Sequence, residues 1–313
     1  MTQKHLYLID GNSFIYRAYY AIKHLSNSKG QPTNAIYGFV TMLNKLLADY
    51  APSYLAICFD RKEATFRHKR YEEYKAHRKP MPDDLIEQVP YIKDIVHAYN
   101  IPMFEMAGFE ADDLIGTLAT QAAENNFLVH IVTGDKDILQ LVNENITVLN
   151  VHKDGLVYDT EKVKERYDGL GPEKIIDVMA LMGDSSDNIP GIPGIGEKTA
   201  IKLIKQFSSL DNIYQNLDQT KGSVYKKLKE NRDLVDLSKE LATVHCAVPI
   251  AFNDDAVHIG KKNVDELTKL FGDLEFLRLI AQLTENAPRK KRLTSYYSIT
   301  TVEDLRQLLE KLD

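Results

Sequence analysis

The chain has 313 residues, 44% of them hydrophobic and 27% charged, and a formal net charge of −6. This size allows a large buried core, and we expect two domains and a tail. A membrane-spanning or secreted protein is disfavoured, because no apolar run reaches about 18 residues and the N-terminus lacks the layout of a signal peptide. The two cysteines, Cys58 and Cys246, have no CxxC partner, which is typical of a reducing, cytoplasmic compartment.

The first half of the chain alternates short apolar runs with stretches of helical periodicity. The apolar runs are residues 6–9, 54–59, 102–106 and 128–132, and each precedes a carboxylate or a Gly-Asp pair. Helices are predicted between them, over 37–47 and 114–123. This alternation predicts an α/β fold, in which helices cover both faces of a mostly parallel sheet. Because such sheets bind ligands at the carboxyl ends of their strands, we expect the acids there to converge.

The second half is mainly helical and predicts a separate domain. Helical periodicity covers residues 175–182, 198–207, 225–241 and 264–280. We therefore predict an α/β core over 1–170, a helical domain over 171–283, and a linker with the start of a truncated domain over 284–313. The basic residues at 289–292 are interpreted as part of the charged linker, and 301–312 as an amphipathic helix.

Nine carboxylates follow the predicted strands or lie in the loops beyond them. They are Asp10, Asp60, Glu110, Asp112, Asp113, Asp135, Asp137, Asp184 and Asp187. Any one of them could cap a helix or shape a turn, and for Asp113 and Asp137 both interpretations stay open. Together at one sheet edge they would repel one another strongly without cations. Oxygen donors without clustered Cys or His favour Mg²⁺ or Mn²⁺, and two such ions can promote phosphodiester hydrolysis.

Basic and aromatic residues are interleaved in the segment 64–90. Its candidate nucleic-acid contacts are Arg67, Tyr71 and Tyr74. A helix is predicted there until Pro80, and it could bind a single strand through stacking and charge. Tyr71 is equally consistent with a place in the core. Lys75 and Arg78, three residues apart, would lie on one face of this helix and could contact a scissile phosphate.

A glycine-rich turn and a predicted helix occupy the segment 188–207. The turn differs from a nucleotide-binding P-loop, because Glu197 separates the last glycine from the lysine and no strand precedes it. The pattern instead predicts a helix-hairpin-helix that binds a DNA phosphate, with a purely structural hairpin as the alternative. The candidate contacts are Gly191, Gly194, Gly196, Lys198 and Thr199. Before the turn, Asp184 and Asp187 are predicted on one face of a helical turn.

Five motifs together resemble the 5′-nuclease domain of bacterial DNA polymerase I, within the flap endonuclease superfamily. They are DGN at Asp10, FD at Asp60, GFEADD ending at Asp113, TGDKD ending at Asp137, and LMGDSSDNIPGIPGIGEKTA over 181–200. The resemblance runs from residue 5 to about 280. It implies a PIN-like nuclease core with a helical arch at 64–90, followed by the helix-hairpin-helix.

The resemblance also implies roles for the candidate residues. One metal would be held chiefly by Asp10, Asp60, Glu110 and Asp112, with Asp113 beside them. A second would lie near Asp135, Asp137, Asp184 and Asp187, partly through water. Lys75 and Arg78 match the catalytic cations of the arch, and Arg17 matches an active-site arginine near the substrate phosphate. Two or three Mg²⁺ ions are implied, with Mn²⁺ as a substitute, and a K⁺ ion at residues 191–196.

The implied activity is hydrolysis of DNA near a 5′ end, at flaps, nicks or forks, including removal of an RNA primer. Residues 295–313 resemble the start of a proofreading-like domain, so we expect a piece of a longer chain that is natively fused to polymerase domains. A monomer in the bacterial cytoplasm, associated with the nucleoid, is expected. Two alternatives stay open, namely a metal-dependent ribonuclease on a PIN-like fold and a non-catalytic binder of branched DNA.

Overall fold

The computed structural model describes residues 3–150 and 155–285, so the predicted tail beyond residue 285 lies outside it. Six strands form one sheet. They are β1 (Lys4–Asp10), β2 (Tyr54–Cys58), β3 (Met103–Phe104), β4 (Phe127–Val132), β5 (Ile146–Asn150) and β6 (Leu156–Tyr158). Their order is β3-β2-β1-β4-β5-β6, and all neighbours are parallel except β5 and β6. The four predicted strands are present, whereas β5 and β6 are not among the predictions.

Seven α-helices lie between residues 3 and 170 in the described part of the chain. They are α1 (Gly11–Ala21), α2 (Asn34–Tyr50), α3 (Phe66–Arg70), α4 (Asp83–Ile86), α5 (Val89–Ala98), α6 (Ala111–Glu124) and α7 (Thr160–Arg166). Seven more follow, α8 (Ile175–Met182), α9 (Glu197–Phe207), α10 (Leu210–Gln215), α11 (Gly222–Glu230), α12 (Arg232–Ala242), α13 (Val264–Asp273) and α14 (Leu277–Glu285). In the described ranges, no helix combines the length and apolar content needed to cross a bilayer.

The two faces of the sheet bury separate hydrophobic clusters, because successive strand residues point in opposite directions. Leu8 and Ala56 belong to the cluster that includes residues of α6, α8, α9 and α12. Ile9 and Ile57 belong to the cluster of α1, α2, α5, α13 and α14. The predicted α/β fold with helices on both faces is confirmed. The helices α13 and α14 pack against the core, not with α8 and α9, so residues 171–283 do not all pack together.

The predicted helix across the basic segment is wrong. Helix α3 ends at Arg70, residues 72–77 form turns, and Lys75 has φ 55°, which no right-handed helix tolerates. The Lys75 amide donates to the Asp187 carbonyl oxygen at 2.9 Å, so this segment lies against the loop after α8. The structure therefore shows a short helix and turns in place of a continuous helical arch.

Three other helical predictions are also corrected. Asp184 and Asp187 lie in a tight loop, because Asp184 and Ile189 exchange two backbone hydrogen bonds of 3.0 and 2.8 Å. The helix predicted over 225–241 is divided at Asn231, and the one over 264–280 is divided near Glu275, which has φ 61°. Apolar periodicity continues across such breaks when both helices face the same core, so periodicity does not reveal them.

Candidate active site

A cavity of about 340 Å³ lies at the carboxyl ends of β1 and β2 and the start of α6. Its lining residues are Asp10, Asn12, Ser13, Tyr16, Asp60, Lys75, Arg78, Glu110, Ala111, Asp112 and Asp135. The parallel register explains the convergence, since Asp10 pairs with Cys58 on one side of β1 and Ile9 pairs with Val132 on the other. The structure thus brings five of the predicted acids to one cavity.

Asp10 and Asp60 are each held by two hydrogen bonds. The Asp10 carboxylate accepts from the Ser13 amide and from the Thr133 hydroxyl, both at 2.9 Å. The Asp60 carboxylate accepts from the Ala111 amide at 2.7 Å and from the Asn12 side chain at 2.9 Å. Asn12 and Ser13 lie at the start of α1 and Ala111 at the start of α6, where backbone amides favour negative charge, whereas Thr133 follows β4. Both carboxylates are therefore positioned before any ligand binds.

Asp112 and Asp135 are held less tightly. Asp135 accepts one hydrogen bond, from the Asp137 amide at 2.8 Å. The Asp112 carboxylate lines the cavity and takes part in no hydrogen bond or ion pair with any other described residue. A carboxylate that faces a cavity without a partner is poorly stabilised as an anion and is free to bind a cation.

Lysine and arginine side chains neutralise the remaining acids. Lys75 Nζ lies 2.7 Å from Glu110 Oε1 and 3.5 Å from Asp187 Oδ2, and Arg78 also pairs with Asp187. The ammonium of Lys136 pairs in the same way with the acids of both neighbouring loops, Asp137 and Asp184. Lys136 is not among the predicted site residues, although its place between two acids of TGDKD is a signal for it.

Asp113 and Arg67 form a buried structural pair, so both predicted roles are corrected. Arg67 is 3% exposed and donates to both Asp113 oxygens at 2.8 Å. Asp113 also accepts from the amides of Glu110 and His245, at 3.0 and 2.9 Å. The guanidinium also donates to the carbonyl oxygens of residues 241 and 243. Asp113 has no oxygen left for a metal, and Arg67 is not available to DNA.

Three other predicted residues are not placed as expected. Tyr71 and Tyr74 are not exposed for contact with DNA, and Arg17 lies away from the acid-lined cavity. Tyr74 is buried, and its hydroxyl contacts the carboxylates of Glu110 and Asp187 at 3.0 and 3.2 Å, so its ring cannot stack on a base. Tyr71 is partly buried against the core. Arg17 lines a different cleft, with Met42, Lys45 and Asp49 from α2. We therefore do not assign Arg17 to the acid-lined cavity.

The glycine turn before α9 is tightly packed at one end and open at the other. A Cβ atom on Gly191 would lie 2.3 Å from the Gly183 nitrogen, and both glycines have positive φ angles, so only glycine fits there. The Gly191 amide donates to Ser238 Oγ at 2.9 Å, so Gly191 shapes the turn and cannot contact DNA. The predicted contacts that remain at the surface are Gly194, Gly196 and Lys198, with Thr199 half-buried.

Burial, reinforced by repulsion between neighbouring acids, raises the pKa values of several carboxylates in this cluster. Burial, opposed by the Ser13 amide and reinforced by Asp60, raises the pKa of Asp10 to about 7. Burial and the neighbouring Asp135 raise the pKa of Asp137 to about 7. Burial and Asp135 also hold the pKa of Asp112 well above its ordinary value. The cluster thus disfavours its own negative charge.

We expect the chain to lose stability as pH rises in the presence of a chelator. Acids with folded pKa values near 7 and unfolded values near 4 keep protons in the folded state that the unfolded state releases. Stability should therefore fall from about pH 4 to about pH 7 and stay low above that. Thermal unfolding at a series of pH values checks this. Asp112→Asn should make the melting temperature less dependent on pH. If the melting temperatures of both proteins changed equally with pH, this acid cluster would not be the cause of the pH dependence.

The donor set fits a hard divalent cation, although the side chains are not yet arranged around one. Within residues 3–150 and 155–285, no three Asp, Glu, His or Cys side chains are grouped to hold an ion as they stand. The donors are nevertheless carboxylate oxygens, which suit Mg²⁺ and Mn²⁺, and five of the acids have raised pKa values. Binding of such an ion would require side-chain rotations within this cluster.

The chain is similar to known proteins over most of its length. Residues 5–168 match the 5′-3′ exonuclease N-terminal resolvase-like domain, and residues 170–266 match the 5′-3′ exonuclease C-terminal SAM fold. DNA polymerase I of Bacillus subtilis is 44% identical over 312 residues, which cover 97% of this chain and 35% of that protein. DNA polymerase I of Mycobacterium tuberculosis H37Rv is 44% identical over 276 residues, covering 87% and 30%. The chain thus spans about a third of these relatives.

Two solved structures share the fold. T5 5′-exonuclease with bound zinc ions has a TM-score of 0.64 at 23% identity, covering 87% of this chain and 99% of that one. The catalytic core of Rad2 in complex with DNA substrate has a TM-score of 0.62 at 21% identity, covering 90% and 93%. With acids gathered at the sheet edge and both family domains matched in order, the chain belongs to the 5′-3′ exonuclease family.

Proposed function

We propose that the chain is a structure-specific 5′-nuclease that hydrolyses DNA at 5′ ends, flaps and nicks as part of a DNA polymerase I. The observation that carries this proposal is the cavity in which Asp10, Asp60 and Asp112 face the cations Lys75 and Arg78. Crowded acids can gather metal ions, and adjacent cations can stabilise charge on a phosphate in the transition state. The substrate in the cell would include RNA primers and displaced strands.

Divalent ions would bind to two sets of carboxylates. The first set is Asp10, Asp60, Glu110 and Asp112, and the second is Asp135, Asp137, Asp184 and Asp187. When bound, Mg²⁺ supplies an acidified water and neutralises charge on the phosphate oxygens, and Mn²⁺ can replace it. The hydrogen bonds to Asp10 and Asp60 keep their remaining lone pairs directed at the cavity.

Lys75 and Arg78 would transfer their hydrogen bonds from carboxylates to the substrate. In the DNA-free chain they neutralise Glu110 and Asp187. Once metal ions neutralise those acids, both side chains are free to donate to the scissile phosphate. The Lys75 side chain is 17% exposed, so water screens its charge weakly and its effect on the transition state is strong.

The duplex would bind at the turn before α9. Gly194, Gly196 and Lys198 are exposed before and at the start of this helix, where amides and the helix dipole favour a phosphate. A K⁺ ion at this turn, a monomeric state, native fusion to polymerase domains and a cytoplasmic location at the nucleoid belong to the same proposal. The binding would be independent of base sequence, because only the phosphate backbone of the DNA is contacted.

A cleavage assay with labelled substrates tests the proposal. A 5′-flap DNA should be cut near its junction with Mg²⁺ and left intact with a chelator, leaving a 5′-phosphate and a 3′-hydroxyl. Equal cutting of single-stranded RNA would favour a ribonuclease. Tight binding of flap DNA with Mg²⁺ but without cleavage after long incubation would favour a non-catalytic binder, and either result would overturn the proposal.

Lys75→Ala should slow the chemical step more than it weakens binding. Loss of one preorganised donor to a transition-state oxygen costs about 100-fold or more in rate, whereas duplex contacts elsewhere are kept. Single-turnover cleavage and fluorescence anisotropy of the same flap DNA measure the two effects. Lys69→Ala, an exposed lysine of the same segment, is the matched control. An equal loss of rate and affinity would make Lys75 a phosphate anchor only.

A further inference from the structure

Lys136 lies between acids that come from two parts of the chain. Its Nζ is 3.1 Å from Asp137 Oδ1 and also contacts Asp184 Oδ2. Asp137 follows β4 in the α/β core, whereas Asp184 lies in the loop after α8. The two carboxylates are largely buried, but the Lys136 side chain is 43% exposed. The lysine can therefore swing into solvent while the acids stay in place.

Lys136 occupies the oxygen of Asp184 that is otherwise free. The other oxygen, Oδ1, accepts a hydrogen bond from the Ser186 amide at 2.7 Å and another from the Ser186 hydroxyl. Ser186 therefore fixes the orientation of the Asp184 carboxylate. Oδ2 is thus a well-positioned metal donor, and the ammonium covers it.

We propose that Lys136 acts as an internal competitor for the second divalent ion, by covering the oxygens of Asp137 and Asp184 until a metal displaces it. An ammonium and a divalent cation cannot share these oxygens without strong repulsion. The ammonium reduces the repulsion between the two carboxylates in the DNA-free chain, and the competition lowers the affinity of the second metal. This inference rests on the proposed metal-dependent function and adds a residue that regulates loading of the same site.

Titration of DNA-free protein with Mn²⁺ tests the proposal by calorimetry. Lys136→Gln removes the charge, and we expect the weaker Mn²⁺ site to tighten by about tenfold, since one unit charge a few ångströms away is removed. Lys136→Arg keeps the charge and should bind with nearly wild-type affinity. Lys162→Gln, which removes an exposed lysine paired with Glu165, is the control. Unchanged or weaker Mn²⁺ binding by Lys136→Gln would overturn the proposal.

A second measurement uses the unaltered chain and does not depend on the variants folding. Reductive methylation followed by peptide mass spectrometry reports how accessible each lysine amine is. Saturating Mn²⁺ should increase the labelling of Lys136 and leave that of Lys162 unchanged. Labelling of Lys136 that stays constant or falls would show that the ammonium keeps its place when metal binds, and it would refute the competition.

These outcomes separate the inference from the proposed function. If neither the wild-type chain nor Lys136→Gln binds Mn²⁺, the metal-dependent function itself fails, and the competition fails with it. If both bind Mn²⁺ with equal affinity and cleave flap DNA, the metal site stands and only the role of Lys136 is refuted. Cleavage activity is not needed to read the calorimetric result.

Discussion

Replacing Asp112 by asparagine should abolish the cutting of a labelled 5′-flap DNA while most of the binding survives. Asp112 lines the cavity, and its carboxylate forms no hydrogen bond or ion pair with any described residue, so it is available to a metal ion. Loss of an anionic ligand should reduce the single-turnover rate at least about 1000-fold, or about 4 kcal/mol of transition-state stabilisation. Fluorescence anisotropy with the same DNA measures the affinity that remains.

The asparagine variant should also fold at least as well as the wild-type chain. Burial and repulsion from Asp135 and Asp10 raise the pKa of Asp112, so a neutral side chain of the same shape relieves a cost. Asp265→Asn, at an exposed position of α13, is the matched control and should cleave normally. A fully active Asp112→Asn protein would refute the metal assignment, and a large loss of melting temperature would point to a structural role.

Replacing Arg67 by methionine should destabilise the chain by about 3–5 kcal/mol, because it leaves the buried Asp113 charge without its partner. Arg67 and Asp113 are joined by two hydrogen bonds of 2.8 Å, and Arg67 also holds the carbonyl oxygens of Leu241 and Thr243. The pair therefore attaches α3 to α6 and to the end of α12. Urea denaturation of both proteins measures the change in unfolding free energy.

Arg70→Met is the control for this prediction, because Arg70 lies in the same short helix. Its guanidinium is half exposed and pairs with an exposed Glu240, so its removal should change stability by less than about 1 kcal/mol. If Arg67→Met is stable but has lost affinity for flap DNA, the structural role is contradicted. The prediction that Arg67 contacts DNA would then be supported.

The basic segment shows where prediction from the sequence stops. Its spacing correctly marked Lys75 and Arg78 as neighbours, since both contact Asp187, but it predicted a helix to bring them together. The left-handed backbone of Lys75 and the packing of turns on the loop after α8 achieve this instead. Arg67 and Tyr74 are of residue types that often contact nucleic acids, yet both side chains point inward and bind buried acids.

Four of the six described strands, the family and the acids that follow β1 and β2 could be predicted from the sequence, because short apolar runs and motifs are local properties. Asp10 and Asp60 follow directly from that pattern. Which charged side chains face one another could not be predicted, because it depends on the packing of distant segments. Arg67 meets Asp113 across 46 positions, and Lys136 meets Asp184 across 48. Such pairs depend on how loops and helices pack. The sequence does not show where a charged side chain points, because its orientation is set by the folded backbone around it.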